Sequence, residues 1–230
     1  MINKLTTNKD VEELRKFVDE NGWAKSHPHW LWGKTEGDVM LKWGGILRGI
    51  KSVVTKDSMV LDLACGDSPL PKIISGWCNH LYSYDANKLP DGLPNNCTVK
   101  LCKSDEYLKT VKDDFFDIVY DSCAVIHFNA REYDPANEIY NKGFYDTLVD
   151  VKRCLKPGGY FFVVCDCHET FQTGEFITEQ NLYKMIKKVG FQVPEPVNLE
   201  RNNDTFLWKV KIHPGDLPLN VVSFVVGKKP

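Results

Sequence analysis

A chain of 230 residues, 43% apolar and 26% charged, can bury one sizeable core without disulfides or a structural metal; its composition excludes a disordered, collagen-like or coiled-coil chain. Lys and Arg number 29 against 31 Asp and Glu, and a net charge of -2 argues against bulk nucleic-acid binding. No charge-free run approaches the roughly 20 apolar residues of a membrane helix, and Met1 to Glu20 lack a secretory signal's apolar core, so the expectation is a cytoplasmic protein.

The first predicted element is a helix. Asn8 or Asp10 can cap it, Val11, Leu14, Phe17 and Val18 form its apolar face, and Gly22 ends it. A Trp- and His-rich stretch follows, with Trp23, His27, His29, Trp30 and Trp32. Val39, Trp43, Ile46, Leu47 and Ile50 then recur near the helical period. Residues 1–57 are therefore expected to form an N-terminal helical cap or lid, and 58–230 the main domain.

From Ser58 the texture changes. Short apolar runs stand at Met59 to Leu63, Leu81 to Tyr84, Thr98 to Cys102, Phe116 to Tyr120 and Tyr160 to Cys165, and helix-length segments separate most of them. This rhythm predicts an α/β fold, a Rossmann-like parallel sheet with helices on both faces. The runs lack polar alternation because both faces are covered. Thr205 to His213 and Leu219 to Val226 are joined by too few residues for a helical crossover, so an antiparallel hairpin is expected at the end.

Eight cysteines, at 65, 78, 97, 102, 123, 154, 165 and 167, include no CxxC pair. They read as reduced, small apolar residues, and no metal site is expected.

The segment Met59-Val-Leu-Asp-Leu-Ala-Cys-Gly-Asp-Ser-Pro-Leu-Pro71 reads as strand, loop and helix. An acid ends the strand, and small residues follow at Ala64, Gly66 and Ser68, where a ligand can approach the backbone. In open parallel sheets ligands bind beyond the strands' carboxyl ends. Neither GxGxxG nor the Lys-Ser/Thr of a phosphate loop is present, which disfavours a nicotinamide-dependent oxidoreductase. A loop opening with a carboxylate suits a ligand carrying cationic groups.

This segment resembles the first motif, Asp/Glu-x-Gly-x-Gly-x-Gly, of class I S-adenosylmethionine-dependent methyltransferases, with Asp62, Ala64, Gly66 and Ser68 at its places. Asp85, 23 residues after Asp62, stands where the family keeps an acid for the ribose hydroxyls. Ser104-Asp105 stands where an acid often meets the adenine amino group, Asp117 to Ser122 resembles the fourth motif, and Leu155-Lys-Pro-Gly-Gly159 resembles a common post-helix turn. The resemblance spans Ser58 to Lys228 and implies S-adenosylmethionine as cofactor. It places Asp62, Ala64, Cys65, Gly66, Asp85, Ala86, Ser104, Asp105, Asp121 and Ser122 around that cofactor. Val125-Ile-His-Phe128 and Cys65 to Pro71 look like a bacterial subgroup that methylates sugars or small polar metabolites; the Cys-Gly-x-Ser-x-Leu texture also occurs in protein-lysine methyltransferases.

The implied reaction is in-line displacement at a sulfonium methyl, with an oxygen acceptor helped by a base. His127, six residues past Asp121, and His168, beside Glu169, are the candidate bases. The alternative for His127 is a helix-start residue bonded to neighbouring backbone. The Trp/His stretch is either a lid, with Trp32 on the cofactor and His27 or His29 on the acceptor, or a hydrophobic clasp. The expected partner is a small polar molecule such as a carbohydrate; a protein-lysine or other N-methyltransferase, or an inactive cofactor-binding subunit, is the alternative.

Overall fold

A computed structural model describes residues 7–20, 34–122, 124, 142–167, 179–193 and 221–230. The elements run α1 (Asn8–Glu20), α2 (Lys34–Lys51), β1 (Met59–Asp62), α3 (Leu70–Ser75), β2 (His80–Asp85), β3 (Cys97–Leu101) and α4 (Ser104–Thr110). They continue with β4 (Phe116–Ser122), α5 (Lys142–Cys154), β5 (Leu155–Cys167), α6 (Glu179–Val189) and β6 (Val221–Lys228).

The six strands form one sheet in the order β3-β2-β1-β4-β5-β6, all parallel except β6, which runs antiparallel to β5. The order reverses between β1 and β4, which puts the switch point of an open α/β sheet beside the end of β1. The fold class expected from the apolar rhythm is the one observed. The last strand is antiparallel, as expected, and its described partner is β5; Thr205 to His213 lies outside the described residues.

Successive strand residues face opposite sides of the sheet, and the core divides accordingly. Val60, Leu81, Ile118, Tyr120, Phe162 and Val164 share one layer with Val11 and Leu14 of α1, Trp43, Ile46 and Ile50 of α2, and Leu70 and Ile74 of α3. Leu61, Tyr84, Val119, Phe161 and Val163 share the other with Leu108 of α4, Phe144 and Leu148 of α5, and Leu182 and Ile186 of α6.

Two local features differ from the expectation. Thr7, not Asn8, is the capping residue of α1: its N–H and hydroxyl donate to Asp10 Oδ2 at 2.7 and 2.8 Å, and its own Oγ1 accepts from Asp10 N at 3.3 Å, a reciprocal cap. The expected turn Leu155 to Gly159 lies within β5, where the pairing slips from Phe116–Leu155 to Ile118–Tyr160, a bulge. A Cβ on Gly159 would stand 2.9 Å from Lys156 O and 3.0 Å from Asp117 O, so only glycine fits this crossing of backbones.

Candidate functional site

Three carboxylates end three neighbouring strands: Asp85 on β2, Asp62 on β1 and Asp121 on β4. Parallel strands in register carry their ends to one edge of the sheet, so the three acids stand at one edge. Asp62 is 1% exposed and Asp121 is fully buried, whereas Asp85 is half-buried. Buried carboxylates need hydrogen-bond partners, and each acid finds its own kind.

Asp62 sits opposite Tyr120 in the pairing of β1 with β4. The Tyr120 hydroxyl donates to Asp62 Oδ2 at 2.6 Å, and Ala64 N donates to Asp62 Oδ1 at 3.3 Å. Burial pushes the Asp62 carboxyl up to about 8; the Tyr120 and Ala64 donors oppose that rise, and the charges of Asp121 and Asp85 add to it. Tyr120 is itself held far above the usual phenol range, by burial first and then by Asp62, so its proton stays in place to be donated.

Asp85 holds the loop between β1 and α3. Its Oδ2 accepts from Gly66 N at 2.9 Å, and its Oδ1 accepts from Asn87 N at 2.7 Å and Lys88 N at 3.0 Å. Gly66 has φ +52°, a left-handed conformation, and a Cβ there would meet nothing within 4 Å. The loop therefore turns a bare backbone face toward open space. Cys65 N donates to Tyr84 O at 3.0 Å, which fixes the same loop to the end of β2. The Cys65 thiol is pushed far up, by burial first and Asp62 second, so it packs as an apolar side chain and not as a thiolate.

Ser104 opens α4, and its buried hydroxyl donates to Leu63 O, tying that helix to the end of β1. Asp105 follows, half-buried in the first turn, and Ala86 is exposed just beyond Asp85. Asp121 accepts from Ala124 N at 3.3 and 3.2 Å. Beside it, Ser122 Oγ is buried and has no hydrogen-bond partner among the described residues.

The structure thus brings Asp62, Cys65, Gly66 and Asp85 together through direct bonds or charge and sets Asp121 and Ser122 on the same edge. His27, His29, Trp32, His127, His168 and Glu169 lie outside the described residues. Nothing in the local sequence pattern gives Tyr120 a role. Its only sequence signal is a polar tip inside an apolar strand next to Asp121, and its partner is 58 residues away.

The arrangement fits S-adenosylmethionine. Clustered carboxylates suit its ammonium and sulfonium charges and its ribose diol, the Gly66 loop leaves room beside the backbone, and Ser122 Oγ is an orphaned polar atom at the same edge. Among the described residues, no helix is long and apolar enough to cross a membrane. Cys65, Cys78, Cys97, Cys102 and Cys154 are free thiols.

No family model matches the chain, and no curated protein matches it in sequence. Solved structures do match in shape. A SAM-dependent methyltransferase from Archaeoglobus fulgidus is 16% identical with a TM-score of 0.56, over 90% of this chain and 99% of that one. The complex of the Haloferax volcanii Trm112 methyltransferase activator with the putative methyltransferase contains a chain 14% identical, TM-score 0.56, over 91% of this chain and 95% of that one. The Burkholderia thailandensis 1,6-didemethyltoxoflavin-N1-methyltransferase, solved with 1,6-didemethyltoxoflavin and S-adenosylhomocysteine, is 11% identical, TM-score 0.53, over 95% of this chain and 89% of that one. At these identities the likeness is one of fold: the chain has the Rossmann-like fold that these methyltransferases share.

Proposed function

We propose that the chain is an S-adenosylmethionine-dependent methyltransferase that methylates a hydroxyl of a small polar acceptor, such as a sugar or a polysaccharide precursor. The observation that carries the reading is the set of three carboxylates ending β1, β2 and β4 around a loop that Asp85 itself holds.

When bound, S-adenosylmethionine supplies an electrophilic methyl on a sulfonium. Asp85 would hold the ribose hydroxyls while it continues to brace Gly66 N. Asp62 would meet the ammonium group. Ser104 and Asp105 would flank the adenine, and Asp121 and Ser122 would close the edge beside the acceptor. The chain's own task is orientation and exclusion of water. His127 or His168 would take the acceptor's proton, with Glu169 beside the latter, and the Trp/His stretch within residues 1–57 would cover the site, with Trp32 on the cofactor and His27 or His29 on the acceptor. The near-neutral charge supports a small-molecule acceptor over bulk nucleic acid.

Two experiments test the reading. Titration calorimetry should show binding of S-adenosylmethionine and S-adenosylhomocysteine and none of NAD. Asp85→Ala should weaken the former tenfold or more, since charge-assisted bonds are worth about 1.5–3 kcal/mol each and about 1.4 kcal/mol is tenfold. Undiminished affinity in that variant removes the ribose assignment. Turnover on a panel of sugars and polar hydroxyl compounds should then identify an acceptor. Replacing the true base by Ala or Asn should lower turnover by about 10²–10⁴ while cofactor affinity holds. Wild-type turnover in His127, His168, His27 and His29 variants alike would end the histidine mechanism.

A further inference from the structure

Among the described residues, a cavity of about 500 Å³ lies between α1, the last two turns of α2 and the end of α3. α2 and α3 end at Lys51 and Ser75, before β1 and β2 begin, whereas Asp62 and Asp85 stand where those strands end. The cavity therefore lies toward the edge of the sheet opposite the three acids. Its apolar wall is Leu14 and Phe17 of α1, Leu47 of α2, and Ile73 and Trp77 at α3. Packing fixes this wall in advance of any ligand: Leu14 and Ile73 are buried in the core, and Trp77 N donates to Ile74 O at 2.8 Å. A space of this volume, with aromatic and aliphatic walls and a few charged groups, suits one small molecule.

Charge narrows the choice of molecule. Lys9, Lys16, Arg48 and Lys51 line the cavity against Asp10 and Glu13. Arg48 is committed to Asp10 in a pair largely screened from solvent. Lys51 is held more loosely. Its Nζ stands 5.8 Å from the centre of the Trp77 ring and 3.9 Å from Glu13, in a pair whose side chains are 62% and 58% exposed. An exposed pair of this kind contributes little, so a ligand anion can replace Glu13 at small cost.

We propose that this cavity binds a small aromatic carboxylate, its ring packed on Trp77 and Phe17 and its carboxylate paired with Lys51 in place of Glu13. Lys9 and Lys16 add their field at the rim. The two parts of the ligand answer two features of the site. A neutral ring would leave the excess of cations unanswered, and an inorganic anion would leave the apolar wall uncovered. The assignment goes beyond the methyltransferase reading and does not depend on it.

The test is a fluorescence titration of the full chain at pH 7 with 8-anilinonaphthalene-1-sulfonate, an aromatic anion that reports its own burial. One molecule should bind per chain. 1-Naphthoate should displace it, and the uncharged 1-naphthylmethanol should do so about tenfold less well. Lys51→Glu, a change at an exposed side chain, should weaken the probe about tenfold, because it turns an attraction into a repulsion. Leu47→Trp should block the probe by filling the cavity, and an unchanged melting temperature shows that each variant is folded. Saturating S-adenosylhomocysteine should leave the probe in place. Displacement by S-adenosylhomocysteine would put the probe in the candidate site and overturn the inference. Equal competition by the carboxylate and the alcohol, wild-type affinity in Lys51→Glu, or no binding of the probe would overturn it too.

Discussion

At Gly66 two physical demands meet in one residue. The backbone takes φ +52°, which costs an L-residue about 1–2 kcal/mol, and a Cβ would project into open space beside the loop. Gly66→Ala should therefore fold with a modestly lower melting temperature, about 2–4 °C per kcal/mol for a chain of this size. Gly66→Val adds β-branched bulk where the proposed cofactor would lie against the backbone, and it should abolish S-adenosylhomocysteine binding while circular dichroism stays native. Retained binding in the Val variant would mean that the cofactor does not use this loop. The Asp85 bond to Gly66 N makes the same point from the other side: one carboxylate shapes the loop and, in the proposed function, would also meet the ligand.

The helix pair α1 and α2 shows how an element is attached. Val11, Leu14 and Val18 of α1 pack with Trp43, Ile46 and Ile50 of α2 in the layer that also covers β1 and β4. At the edge of that contact Arg48 Nη1 donates to Asp10 Oδ2, with side chains 17% and 11% exposed. Burial lowers the Arg48 guanidinium from its ordinary value, and Asp10 opposes that shift by charge and hydrogen bond. Removing one partner of a fully buried pair costs about 3–5 kcal/mol because the other charge is left behind, and this part-buried pair lies below that range. Asp10→Ala should lower stability toward that range in urea unfolding, and it also loses the Thr7 cap, worth about 1 kcal/mol. Adding Arg48→Met should recover much of the loss. Additive losses in the double variant would show that the cap, and not the ion pair, carries the effect.

For the molecule as a whole, burying the Asp62 carboxyl makes stability depend on pH. Asp62 titrates near 4 in an unfolded chain and is pushed up to about 8 in the folded one. The folded state then binds the extra proton between those limits, so stability is full below about pH 4 and falls as pH rises toward about 8. Asp62→Asn removes this titration. The melting temperature of that variant, relative to wild type and without ligand, should rise steadily from pH 5 to pH 8. A pH-independent difference would show that Asp62 is ionised in the folded protein throughout.

Much of this architecture is legible in the chain itself, because its signals are local. Apolar runs of strand length separated by helical periods announce a covered parallel sheet, and the described strands lie over those runs. An acid at the end of a run, as at Asp62 and Asp85, is a local signal too, and parallel strands carry such ends to one edge. What the sequence could not supply is pairing across distance. The strand order that makes β1 and β4 neighbours, the Tyr120 hydroxyl on Asp62 58 residues away, and Arg48 on Asp10 38 residues away depend on register and packing. The Leu155 to Gly159 segment shows the limit most plainly: its residues read as a turn, yet they form a bulge inside β5. Local propensity and burial period act within a few residues, whereas the partners that set the charge of Asp62 and the shape of the Gly66 loop are chosen only when the sheet closes and its strands take their order.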